Sequence, residues 1–131
     1  MKKKLEKIAR DDSRFSPRAL EFVYEALAYT AKKIVPKPGH VSGQTLCEGL
    51  RKLALEKWGR LAVLVLNTWG VKSTRDFGEI VYLLINHQWM SAQPADTIGD
   101  FDNVYAFKTV FKDQFKFSVS TVRRPGESPK D

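Results

Sequence analysis

The sequence predicts a mainly α fold (α+β): a helical core with a helix-turn-helix and a small β-hairpin, winged-helix-like in order. Three observations predict it. Apolar residues recur at helical spacing through most of residues 17–86. Within that span, Gly59 to Ile85 (GRLAVLVLNTWGVKSTRDFGEIVYLLI) reads as helix, tight turn, helix. After His87 the apolar runs shorten and are broken by turn residues, the mark of a hairpin.

Residues 1–12 read as a charged lead-in with a frayed helical turn. Ser16-Pro17 is an N-cap followed by proline at the first helical position. Leu20, Val23, Leu27 and Ile34 form the stripe of the helix that follows, widened by Phe22, Ala26 and Tyr29. It should end near Ile34, because Pro36 and Pro38 lie beyond and Val35 is biased to extended backbone. Ser42 caps the next helix, which carries Leu46, Leu50, Leu53 and Ala54 on one face; Gly59 supplies its left-handed stop. A third helix is expected from about Arg60 to Thr68. Ser73 opens a fourth, with Asp76 three residues on in a near capping box. Its core stripe is Phe77, Ile80, Val81 and Leu84. Gly78 sits inside it at a cost of about 1 kcal/mol relative to alanine, which the close approach of another backbone would explain.

Two readings fit the next stretch. One pairs strands near 89–93 and 103–107 across an acidic loop, with a short helix near 107–113. The other begins a helix at Val104, since Val104, Phe107, Val110 and Phe111 also fit a 3.6-residue period. The hairpin is the expected form. Phe115, Phe117, Val119 and Thr121 alternate with polar residues as a late strand, and Arg123 to Asp131 is expected to be a disordered tail. The organisation is thus a lead-in (1–12), one compact domain (13–113), and a strand and tail (114–131).

Several segments resemble a small bacterial family of uncharacterised proteins, a domain of unknown function. They are FSPRALEFVYEALAY (Phe15 to Tyr29), HVSGQ (His40 to Gln44), LALEKWG (Leu53 to Gly59) and above all WGVKSTRDFGEIVY (Trp69 to Tyr82). DFDNVYAF (Asp100 to Phe107) matches more loosely. The resemblance spans roughly residues 12–107 and implies a shared fold. It brings no activity, cofactor or site residue.

Composition narrows the function. The 131 residues carry a net charge of +7, which suggests an anionic partner. The excess is concentrated at the ends: residues 1–12 carry +2, residues 114–131 another +2, and residues 13–113 only +3. No run reaches the roughly 18 apolar residues of a membrane span. Met1-Lys2-Lys3-Lys4 is not followed by an apolar signal core, and a single cysteine, Cys47, excludes an intrachain disulfide. A cytoplasmic location without membrane association is expected.

Nucleic-acid binding is disfavoured. The outward positions of the fourth helix would be Arg75, Glu79, Tyr82 and Asn86, and from Thr74 to Gln88 the fixed charges sum to −1. The stretch Ser91 to Asp102 holds three aspartates and no basic residue, so it would repel phosphate. Metal binding lacks a ligand set: His40 and His87 are far apart in sequence, and Cys47 has no cysteine partner. No nucleophile elbow, Walker motif or dinucleotide fingerprint occurs. The candidate anion site is Lys37, His40, Ser42, Gly43 and Gln44, at a helix start. The candidate interaction surface is Phe22 and Tyr29 on the first helix with Phe115, Phe117 and Val119 on the late strand. The expected function is a non-catalytic protein-interaction or oligomerising module with no cofactor. The alternatives are a winged-helix DNA-binding regulator and a small anion- or nucleotide-binding protein.

Overall fold

A computed structural model describes residues 2–34 and 41–113. Among them are five α-helices and no strand: α1 (Lys2–Asp12), α2 (Pro17–Lys33), α3 (Gly43–Trp58), α4 (Ala62–Thr68) and α5 (Thr74–Asn86). Short turns of other helix types lie at Gly59–Leu61 and Ile98–Phe101 (3₁₀) and at Lys108–Asp113 (π).

The winged-helix-like outline is therefore corrected. Residues 89–93 and 103–107 do not pair as a hairpin. The Trp89 N–H closes the end of α5 on the Leu84 carbonyl (2.9 Å), and the second stretch bonds to helices. The Val104 N–H donates to the buried Thr74 Oγ1 (3.2 Å), and the Tyr105 hydroxyl donates to the Cys47 carbonyl (2.7 Å). Phe107 and Phe111 are buried, and Phe107 lies 5.5 Å from the ring of Phe77. Side-chain packing on a helical surface thus supplies what strand pairing was expected to supply.

The expected lead-in is also different: α1 begins at Lys2 and buries Leu5, Ile8 and Ala9. Those positions share one face. Lys4, Glu6, Lys7, Arg10 and Asp11 are exposed beside this narrow stripe and mask it in composition. Ser13, at φ 67°, ends the helix in the left-handed conformation, and its N–H donates to the Ala9 carbonyl (2.8 Å).

The other helix boundaries follow local chemistry. Ser16 Oγ accepts from Arg18 N with Pro17 at the first helical position. Ser42 Oγ accepts from Thr45 N, and Gly59 closes α3 at φ 53°. Ser73 Oγ accepts from Asp76 N, while the Asp76 carboxylate accepts from Lys72 N (2.8 Å). Helix α5 lies inside the protein, with Thr74, Phe77, Gly78, Ile80, Val81 and Leu84 buried.

Two close approaches set the packing. Helices α2 and α3 meet where a side-chain carbon on Gly49 would fall 1.7 Å from Thr30 Oγ1. Phe101 is seated between two glycines. A Cβ on Gly78 would lie 2.8 Å from its Cβ and Cγ, and one on Gly43 would lie 3.0 Å from its ring. The glycine inside α5 therefore admits a side chain, not a backbone. No helix among the described residues is long and apolar enough to cross a membrane.

Candidate functional site

Two features of the described surface stand out: a cleft and an apolar helix face. The cleft lies between the C-terminal half of α2, the start of α3, the C-terminal half of α5 and the segment Met90–Phe101. Its volume is about 400 Å³, within the range that holds small ligands. Leu27, Leu46, Val81, Ile85 and Phe101 give it apolar walls, and Tyr82, Gln93, Thr97, Asp96 and Asp100 bring polar groups. Its described lining contains no Lys, Arg, His or Cys.

Both aspartates shape the local backbone. Asp96 accepts from Gln93 N (2.8 Å). Asp100 accepts from Thr97 N (3.2 Å) and from Thr97 Oγ1 (3.4 Å), closing a capping box on the turn Ile98–Phe101. Tyr82 has its phenol pushed above the ordinary value, first by burial and then by the charges of Asp96 and Asp100. The three aspartates expected in a wing thus have separate tasks: two turn the chain at the cleft, and Asp102 pairs with Arg75 (3.0 Å).

The second feature is α4. Its sequence, AVLVLNT, holds no charged residue. Ala62 and Leu66 face the core, while Val63 and Val65 are half-buried. On the outer side Leu61, just before the helix, and Leu64 are 54% and 63% exposed. They are the large hydrophobic residues left exposed among those described. Trp58 and Trp69 bracket the helix, stacked edge to face at 5.2 Å, and both pack on Phe22.

The proposed site residues fall as follows. Lys37 and His40 lie outside the described residues, as do Phe115, Phe117 and Val119. The Ser42 hydroxyl serves as a cap, accepting from Thr45 N and donating to Thr45 Oγ1 (2.9 Å). Gly43 is buried against Asp100 and Phe101; Gln44 is exposed. A carboxylate-bearing residue therefore stands beside the start of α3, where an external anion was expected. Phe22 is 3% exposed, so it belongs to the core and not to an interaction surface. Tyr29 is half-buried, and its hydroxyl donates to Glu56 (2.6 Å). That hydrogen bond, with burial and the Glu56 charge behind it, raises the phenol's pKa.

The outward positions of α5 carry a closed ion-pair set. Arg75 pairs with Glu79 (3.0 Å) as well as Asp102, and Glu79 also takes Arg14 (2.9 Å), which binds Asp12 (2.9 Å). The arginines hold Asp12 and Glu79 below their ordinary values. Cys47 is buried, and desolvation pushes its thiol up to about 12, away from reactivity. No group of three potential metal ligands occurs among the described residues.

Neither the cleft nor the exposed leucines were read from the sequence. The internal glycine of α5 was the available signal for the cleft, because it marked where Phe101 enters. The run AVLVLNT was the signal for the second: five consecutive apolar residues leave at least one of them on the outer face of so short a helix. Comparison with family models, curated proteins and solved structures finds no match.

Proposed function

We propose that this protein is a non-catalytic interaction module that self-associates through α4. The observation that carries the reading is the exposed pair Leu61 and Leu64 at a helix that holds no charged residue and whose polar residues, Asn67 and Thr68, lie in its last turn. Covering a large apolar side chain that is exposed to water is favourable. A contiguous apolar patch also marks association surfaces more often than isolated exposed residues do.

The occupant we favour is a second copy of the same chain. Copies carrying +7 each repel one another, so a homotypic contact belongs where charge is lowest. The seven residues of α4 meet that condition. A two-fold contact would bring each Leu64 to the partner's helix and put the same patch on both sides. A stable interface buries about 800 Å² per partner, so the two leucines would form its dry centre and polar neighbours its rim. The non-catalytic reading is supported by the protonated, buried Cys47 and by the Ser42 hydroxyl, already committed to a helix cap.

Sedimentation velocity over a concentration series tests this. The native chain should show a reversible monomer–dimer equilibrium. Leu61→Glu with Leu64→Glu should weaken it about tenfold or more, a change of at least about 1.4 kcal/mol, with unaltered far-ultraviolet circular dichroism. A native chain that stays monomeric at the highest concentration overturns the proposal.

A further inference from the structure

Self-association at α4, the reading on which this inference rests, is short of area. The seven residues of α4 make a helix about 10 Å long and about 10 Å across. Its outer face is a small part of the roughly 800 Å² that each partner buries in a stable interface. The missing surface lies next along the chain. The turn Lys108–Asp113 packs against α4 and against Gly59–Leu61, with Phe111 buried beneath it. Phe115 follows Asp113 by two residues, a reach of about 7 Å. The chain therefore leaves the described core beside the elements that carry the exposed Leu61 and Leu64.

What continues there has the right pattern. Phe115, Phe117, Val119 and Thr121 alternate with Lys116, Ser118 and Ser120. Successive side chains of an extended segment point to opposite faces, so this order writes one apolar face and one polar face. A buried phenylalanine covers about 150–250 Å²; two of them add about 300–500 Å², of the order that α4 lacks. An extended segment also needs partners for its N–H and C=O groups. No strand occurs among the described residues, so the same segment of a second copy is the available partner. A two-fold axis normal to the strand direction sets two identical segments antiparallel, each meeting the other with the same residues. A two-stranded ribbon is stable only when its apolar face packs on something further, such as a helix. Helix α4 is that surface. We propose that residues 115–122 of two copies pair across the two-fold axis and lay Phe115 and Phe117 against the partner's Leu61 and the partner's Leu64, completing the dimer.

Complementation between two full-length variants tests this, by sedimentation with a fluorescent label on one of them. Phe115→Ser with Phe117→Ser should weaken the dimer at least about tenfold while the helical circular dichroism is retained. Leu61→Glu with Leu64→Glu should do the same from the other side of the contact. A mixture of the two variants keeps one intact segment on one intact α4, so it should associate at least about fivefold more tightly than either variant alone. A phenylalanine variant that dimerises like the native chain overturns the proposal and leaves self-association at α4 standing. A mixture no tighter than its components also overturns it, because the segment then does not cross to the second copy. A native chain that stays monomeric removes the α4 reading and this inference with it. Should the double phenylalanine variant fail to fold, Phe117→Ala takes its place in both arms.

Discussion

Gly49 shows how much of this fold hangs on single atoms. It faces Thr30, whose hydroxyl is fully buried and donates back to the Ala26 carbonyl (2.7 Å). A methyl group there has no room, since its nearest neighbour would be 1.7 Å away. In an exposed helix interior, glycine to alanine gains about 1 kcal/mol. Here overpacking, which costs about 1–3 kcal/mol, reverses the sign. Gly49→Ala should lower the urea midpoint, and Gly49→Ala with Thr30→Ala should recover much of the loss. If the single variant is more stable than native, α2 and α3 do not meet at this point. Gly49 was not singled out in the sequence because a lone glycine inside a helix has the same local pattern whether it is tolerated or required. Gly78 drew attention by its cost, yet its partner Phe101 lies 23 positions away and could not be named.

At the scale of elements, caps were legible and partners were not. Ser16, Ser42 and Ser73 act on N–H groups two or three residues away, so their role is written within one turn of chain. The stripe Phe77, Ile80, Val81 and Leu84 is likewise a local periodicity, and all four are buried. Helix α1 shows the limit. Its eleven residues contain many charges, and only Leu5, Ile8 and Ala9 carry its docking. Leu5 has no exposure, so Leu5→Ala should cost about 2–5 kcal/mol through lost burial and an unfilled cavity. Chemical denaturation measures this directly. A loss below about 0.5 kcal/mol, typical of a surface site, would return α1 to the status of a lead-in. The absent hairpin has the same origin. Val104, Tyr105 and Phe107 alternate as a strand would, but strand pairing needs a second strand, and the available partners were Thr74, Cys47 and Phe77 on helices.

For the whole molecule, the ion pairs Asp12–Arg14–Glu79–Arg75–Asp102 join the end of α1, the α1–α2 link, α5 and the segment after Phe101. They close around the same corner as the Ser16 N–H to Trp69 carbonyl bond (3.0 Å). The arginines lie near the surface, so solvent screening keeps the contribution of each pair small. Their pH dependence has a definite sign. Asp12 and Glu79 titrate lower when folded than their ordinary 3.8 and 4.5. Fewer protons are then bound in the folded state, and the stabilisation is present above those ordinary values. It is lost as pH falls through the lowered folded ones. Unfolding free energy should therefore drop below about pH 4.5, and Glu79→Gln should make that fall shallower. An identical acid profile for the variant would show that the pair adds nothing.

Helix starts, core stripes and the scarcity of basic charge around α5 were determined by the sequence alone, because each depends on residues within a few turns of one another. Tertiary structure alone decided that α1 docks, that Val104 and Tyr105 bond to helices, that Phe22 is interior, and that Asp100 and Phe101 meet α3 and α5 to form a cleft. The physical reason is range. Caps and periodicity are short-range properties of a chain, whereas burial and charge pairing depend on which distant segments compete for the same surface, and that competition is settled only in the packed molecule.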